Sequence, residues 1–135
     1  MTSSDYLAQD ATGLAELIRN QEVTSVEVLE AAIARAEQLQ PDLNFMAQPL
    51  FDHGRQRATQ PAGDGPFAGV PFLTKDLYQE MAGVPSMSGS RAYRLYVPDE
   101  DSHYIRRVRA AGFSIFGRTT TPELGLKAVT ESVLT

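Results

Sequence analysis

The sequence predicts an α/β fold, with a helical N-terminal arm over residues 1–62 and a lysine-bearing α/β segment over 63–135. Three observations carry that prediction. Apolar residues recur at helical spacing between residues 11 and 40. A short apolar run bounded by Gly and Pro, Gly69-Val-Pro-Phe-Leu-Thr-Lys75-Asp76-Leu77, reads as a buried strand. An irregular stretch, a helix and a second strand then follow in series, the order expected of an α/β sheet.

In the arm, Leu14, Leu17 and Ile18 mark a first helix that stops at polar Asn20-Gln21-Glu22. Thr24-Ser-Val-Glu27 reads as a capping box, in which the threonine oxygen caps the helix start and the glutamate reaches back. The helix it opens carries an apolar stripe of Val26, Leu29, Ala32, Ile33, Ala36 and Leu39. It runs to about Gln40, where Pro41 is expected to end it. The two helices are expected to pack as a pair. Asn44-Phe-Met-Ala47 reads as a short strand, Phe51 to Gln60 as a short polar helix, and Gln60-Pro-Ala-Gly-Asp-Gly-Pro66 as a loop.

The strand holding Lys75 is the most informative feature of the chain. Val70, Pro71, Phe72, Leu73 and Leu77 flank the lysine. Burying an ammonium is costly unless it is paired or neutral. Desolvation lowers a lysine pKa, and a neutral lysine accepts a proton. One reading is therefore a strand built to hold a general base. The plainer reading is a lysine at the strand's end, with its head in water or paired with Asp76. Adjacent strand residues point to opposite faces, so Asp76 is assigned a structural role, pairing an arginine or capping a turn.

Residues 81–96 mix Gly, Pro and Ser and read as irregular backbone. The Ser86-Met-Ser-Gly-Ser90 stretch lacks the Gly-x4-Gly-Lys spacing of a phosphate loop. No histidine lies near these serines, so Ser86, Ser88 and Ser90 are read as loop residues. Asp99-Glu-Asp-Ser102 opens a helix to about Ala111, with acids at its positive end, arginines 106, 107 and 109 toward the other, and Gly112 as C-cap. That distribution explains the arginines as helix-end partners without an anion site. Phe113-Ser-Ile-Phe-Gly117 is a further strand, and Thr121-Pro-Glu123 opens a last helix with proline at its first position.

Composition narrows the function classes. Hydrophobic residues make up 42% and charged residues 21% of 135, a globular balance rather than a disordered one. The net charge of −5 argues against nucleic acid or an anionic membrane as partner. The absence of cysteine excludes disulfides, thiol catalysis and cysteine-bound metal within these residues. His53 and His103 show no ligand-like spacing, so no metal and no cofactor are expected. No signal peptide is visible at the N-terminus, and no apolar run approaches the roughly 20 residues that span a bilayer. A cytoplasmic protein is the expectation.

Taken together and in order, several of these segments carry a family likeness. Gly65-Pro-Phe-Ala-Gly-Val-Pro-Phe-Leu-Thr-Lys75-Asp76 resembles the lysine-bearing strand of the amidase signature family. The likeness continues through Gly83-Val-Pro85, Ser88-Gly-Ser90, Tyr96-Val-Pro-Asp-Glu-Asp101 and Val108-Arg-Ala-Ala-Gly112. It extends to Ile115-Phe-Gly-Arg-Thr119, Thr121-Pro-Glu-Leu-Gly125 and Thr130-Glu131. Residues 65–131 match strongly, and residues 10–45 more loosely, as a helical arm.

The resemblance implies a mixed-sheet amidase fold, here incomplete, and a small-molecule amide as substrate. It also implies a Ser-cisSer-Lys relay. In that relay one serine attacks the amide carbonyl, and a second serine, held by a strained cis peptide, passes the proton to a neutral lysine. Backbone N–H groups of a Gly-Ser-rich loop stabilise the oxyanion. Lys75 is the matching catalytic lysine. Gly125 and Leu126 fall where family members line the acyl side of the pocket, although ordinary helix packing would equally explain them.

The family's Gly-Gly-Ser-Ser-Gly-Gly loop follows the Thr-Glu segment, and this sequence ends at Thr135 before reaching it. The expectation is an N-terminal fragment of an amidase that supplies only the lysine and is inactive alone. Such a fragment would self-associate or pair with a complementing C-terminal chain. The alternatives are a non-catalytic binding module and a subunit of a split or multi-subunit amidotransferase. For a tRNA-dependent amidotransferase, Phe67, Tyr78 and the exposed acids offer no tRNA-like patch.

Overall fold

The computed structural model describes residues 1–61, 63–131 and 134. The chain forms α1 (Ser3–Leu7), α2 (Ala11–Arg19), α3 (Ser25–Leu43), β1 (Met46–Pro49), α4 (Phe51–Ala58), β2 (Pro71–Lys75), α5 (His103–Ala110) and β3 (Ser114–Thr119). Short 3-10 turns stand at Arg91–Tyr93 and Glu123–Gly125. The strands make one mixed sheet in the order β1-β3-β2, with β1 antiparallel and β2 parallel to the central β3. This is the α/β class that the sequence predicts. The strand β1, from within residues 1–62, pairs with β3 and so belongs to the same sheet as the lysine strand.

The helices begin where capping chemistry places them. The Thr24 hydroxyl accepts from the Glu27 amide at 3.2 Å, and the Glu27 carboxylate accepts from the Thr24 amide at 2.8 Å, which is the predicted capping box. The sequence reading overlooked a second capping box, Thr2 with Asp5, which starts α1. Ser102 caps α5, accepting from the Ile105 amide at 3.3 Å. The C-cap of α5 is Ala111, one residue before the predicted Gly112, which follows it and takes the left-handed turn at φ 94°.

Three expectations for the helices need correction. Pro41 does not end α3, which passes through it to Leu43. The proline costs one ladder bond, to the Glu37 carbonyl, and the helix continues only two residues beyond it. The helix stops instead at Asn44, whose left-handed backbone (φ 43°) returns its N–H to the Gln40 carbonyl at 2.9 Å. The apolar stripe of α3 runs through Val28, which is fully buried, while Val26 is exposed. Leu14 and Ala15 of α2 join Val28 and Val70 in one apolar cluster, so α2 and α3 meet there.

Thr121-Pro122-Glu123 opens no α-helix. Pro122 is extended (ψ 148°) and Leu124 is left-handed (φ 53°), leaving only the turn at Glu123–Gly125. The Leu124 amide, which a Thr121 cap would need, donates instead to the Ser88 carbonyl at 2.8 Å, and the buried Thr121 hydroxyl caps nothing among the described residues.

The central strand has apolar layers on both faces. Phe116 packs with Leu29, Ile33 and Ala36 of α3 and Ala58 of α4. Its neighbour Ile115, pointing the other way, packs with Ile105 and Val108 of α5 and with Met81. Every residue of β3 except Thr119 is buried. In β2, an edge strand, only Thr74 is buried. The lysine segment, expected to be a buried strand, is therefore mostly half-buried at the sheet edge, and β3 is the strand that is enclosed.

Close approach of α4 to the sheet depends on Gly54. A Cβ there would stand 2.8 Å from the Phe116 Cβ and 3.2 Å from its Cα. Alanine would add about 1 kcal/mol of helix propensity but would overpack by ~1–3 kcal/mol against a position that cannot swing aside. Gly54→Ala should therefore lower the urea midpoint of this chain. A raised midpoint would show that α4 moves away from β3 at little cost.

Candidate active site

Lys75 is the last residue of β2 and pairs with Thr119 of β3. The pairing ends one step later, where the Asp76 amide donates to the Thr119 carbonyl at 3.0 Å. A turn through Tyr78 (φ 56°) follows, and the Gln79 side chain folds back to accept from the Lys75 amide at 2.7 Å. The Lys75 ammonium donates to the Thr120 carbonyl at 3.2 Å. The residue is half-buried rather than enclosed, because β2 lies at the sheet edge.

Asp76 is not the partner of Lys75. Its carboxylate lies 3.3 Å from the Arg118 guanidinium and accepts from the Met87 amide at 3.0 Å. This is the arginine-pairing role the sequence suggested for it. No carboxylate pairs with Lys75 among the described residues. Burial pushes the Asp76 carboxyl above the usual carboxylate range, opposed by Arg118 and the amides of Met87, Ser88 and Gly89. Burial likewise pulls the Arg118 guanidinium below its ordinary value, opposed by Asp76 and Glu80.

Arg118 is the residue that sequence reasoning missed. It lies in the central strand with no exposed surface and is the largest of the fully buried side chains. One terminal nitrogen donates to the Pro85 carbonyl at 2.8 Å. The other donates to the carbonyls of Lys75 and Gln79, each at 3.2 Å, and to the Ser86 hydroxyl at 3.4 Å. The available signal was a charged residue closing the apolar run Ile115-Phe-Gly-Arg118, together with an Asp76 already expected to pair an arginine or cap a turn.

The serines of the irregular stretch serve its backbone. Ser86 is buried against Arg118, the Ser90 hydroxyl accepts from the Ala92 amide at 3.3 Å, and the Ser88 carbonyl holds the Leu124 amide. Gly125 (φ 71°) presses on Leu77, since a Cβ there would stand 2.8 Å from a Leu77 methyl. It thus sits close in space to the segment that follows Lys75. Leu126 is 79% exposed and lines an open hollow of about 450 Å³ with Pro122, Leu124 and Val129. Lys75 does not line that hollow. Among the described residues no group of three or more His, Asp or Glu side chains is placed to hold a metal. No helix among them is long and apolar enough to cross a membrane.

The family model for amidases matches residues 27–135. The chain belongs to the amidase signature family. It is similar to the 6-aminohexanoate-cyclic-dimer hydrolase of Paenarthrobacter ureafaciens, 41% identical over 127 residues that cover 93% of this chain and 25% of that protein. It is also similar to the putative amidase AmiC of Mycobacterium tuberculosis, 42% identical over 123 residues, or 90% of this chain and 26% of that one. Among solved structures, a 6-aminohexanoate cyclic dimer hydrolase complexed with substrate superposes with a TM-score of 0.86 at 40% identity, over 93% of this chain and 26% of that chain. This amidase-signature chain therefore spans about a quarter of the length of the relatives it matches. Its three-stranded sheet and flanking helices correspond to the N-terminal part of their fold.

The Asp76–Arg118 pair makes a measurable claim on stability. Removing one member of a buried ion pair leaves the other charge uncompensated, which costs about 3–5 kcal/mol. Asp76→Ala should lower the stability of this chain by that order in denaturant unfolding. A loss below about 1 kcal/mol, the range of an exposed pair, would mean that water reaches Arg118.

Proposed function

We propose that this chain is the lysine-bearing N-terminal part of an amide hydrolase, with Lys75 as the base of a Ser-cisSer-Lys relay. Both serines and the oxyanion loop come from sequence outside these 135 residues, and the chain alone is inactive. The observation that carries this reading is the setting of Lys75. Its ammonium has a backbone carbonyl as partner, and its neighbouring carboxylate is committed to Arg118. With that carboxylate engaged elsewhere, the Lys75 side chain is not tied into an ion pair and is left available to the serine relay.

In the proposed relay the nucleophilic serine oxygen bonds to the amide carbonyl carbon. Its proton passes through the second serine to neutral Lys75. The ammonium so formed protonates the leaving amine as the C–N bond breaks. Water then cleaves the acyl-enzyme and regenerates the serine. The substrate class is a carboxylic acid amide. The first substrates to try are 6-aminohexanoate cyclic dimer, by similarity to the 41%-identical hydrolase, and simple linear amides.

Two measurements test this reading. The coding DNA beyond codon 135 should specify a Gly-Gly-Ser-Ser-Gly-Gly run within the next few tens of residues, and an immediate stop codon would remove the proposed nucleophile from the same chain. In the longer enzyme, Lys75→Ala should cut turnover by about 10²–10⁴-fold, the usual range for a general base, with its melting temperature little changed. Unchanged turnover would take Lys75 out of the chemistry.

The same reading concerns the surface. Leu95 and Leu126 are 84% and 79% exposed, and Val97 and Val129 are also exposed. Exposed apolar side chains of this kind favour association. Light scattering on the 135-residue chain should give a mass above the monomer's 14.8 kDa, and a monomer that unfolds cooperatively would count against the proposed missing partner surface.

A further inference from the structure

Two cations meet the end of β2, and only one of them has been given a part in the proposed chemistry. Arg118 and Lys75 do not touch through their side chains. Thr74, which pairs with Arg118, and Asp76, which binds it, lie on one side of the strand. Lys75 stands between them in sequence and directs its ammonium to the Thr120 carbonyl. The alternation of strand side chains thus separates the two like charges.

Their connection runs through the backbone. One guanidinium nitrogen of Arg118 donates both to the carbonyl of Lys75 and to the carbonyl of Gln79. The Gln79 side chain in turn accepts from the Lys75 amide at 2.7 Å. The two backbone polar groups of Lys75 are therefore both held within one small network, which closes the turn over residues 75–79. The other guanidinium nitrogen holds the Pro85 carbonyl, which Gln48 of β1 also binds at 2.9 Å. Asp76 reaches the Met87 amide from the same pair. The turn after the lysine and the loop at 85–87 are thereby fastened to one buried group.

We propose that Arg118 is a positioning residue for Lys75: it fixes the lysine by its backbone carbonyl and locks the 85–87 loop beside it, so that the reach and reactivity of the ammonium depend on a guanidinium it never contacts. This inference rests on the reading of Lys75 as a base only for its consequence in catalysis. The placement itself is a property of the 135-residue chain and is testable there without turnover.

The chain supplies its own control, because Lys75 and Lys127 are its only lysines. Labelling with a small amine-reactive reagent, followed by peptide mass spectrometry, gives the ratio of modification at Lys75 to that at exposed Lys127 in one sample. In Arg118→Ala the turn is released, and the ratio should rise several-fold while far-UV circular dichroism keeps its wild-type shape. Added guanidinium ion, which can refill the site, should bring the ratio back toward wild type, with no effect on the wild-type chain.

An unchanged ratio in a folded Arg118→Ala chain would overturn the proposal, and so would a raised ratio that guanidinium fails to lower. Should that variant lose its helical signal, Arg118→Lys decides: a folded chain with a raised ratio supports the proposal, and a wild-type ratio, or loss of fold here too, overturns it. Turnover of Lys75→Ala in the longer enzyme remains a separate test. A failed labelling test therefore leaves the assignment of Lys75 as base standing, and full activity of Lys75→Ala leaves the placement argument standing.

Discussion

A guanidinium with no exposed surface organises this chain. Burying a charge is unfavourable by several kcal/mol, and the attraction of one counter-ion seldom repays it unless hydrogen bonds satisfy the remaining donors. Arg118 meets most of that requirement with the Asp76 carboxylate, three backbone carbonyls and the Ser86 hydroxyl, while its Nε and the second Asp76 oxygen find no partner among the described residues. The partners come from residues 75–86, a stretch with no helix or strand beyond Lys75 itself. Irregular backbone that is buried must place its carbonyls somewhere. Here the arginine takes three of them, so the same contacts that neutralise the side chain give the loop its shape. The net gain in stability from such a pair is small, and its effect lies in permitting one arrangement of the loop.

The sheet explains why the arginine can sit where it does. Because β3 is central, its polar residues are enclosed by β1, β2 and the two helical layers. Small residues permit close contacts there: Gly54 lets α4 rest on Phe116, and Gly117 leaves room for the side chain of its cross-strand partner Leu73, a methyl of which would stand 2.9 Å from a Cβ at 117. The enclosure excludes water from Arg118, and exclusion of water is what makes its hydrogen bonds obligatory. At the edge the situation reverses. Lys75, on β2, has neighbours on one side in the sheet and keeps part of its surface exposed.

How much of this was legible in the sequence follows from the range of the interactions. Elements fixed by neighbours in the chain were readable: the capping box at Thr24, the helix after Phe51, the strand ending at Lys75 and the helix that Ser102 caps. Errors arose where a distant segment intervened. The Thr121-Pro122-Glu123 pattern is a good local helix start, but the Leu124 amide is taken by Ser88, thirty-odd residues away in sequence. Pro41 is a different case, since the stop actually used is also local: Asn44, left-handed and bonded to the Gln40 carbonyl, ends α3 three residues later. At the site, the pairing of Asp76 with an arginine was readable from strand alternation and the cost of burying charge, and the place of Lys75 at the end of a strand from the apolar run before it. Arg118 was not placed, because an arginine within an apolar run is also what a strand end presents. Only the pairing of β2 with β3 distinguishes the two cases.

The placement of the two cations also fits their chemistry. Arginine stays protonated in proteins and offers a rigid fork of donors, so it suits a permanently enclosed, multiply bonded position. Lysine carries its charge on a flexible stem and can lose its proton, so it suits a position with room to move and no anion to hold it charged. Exchanging the two residues would fail on both counts. A lysine at 118 offers three donors where four carbonyl and hydroxyl groups and a carboxylate wait. An arginine at 75 could never accept a proton. The alternation of side chains along β2 lets the structure hold one cation fixed for architecture while leaving the other available, the two being joined through the backbone carbonyl of Lys75.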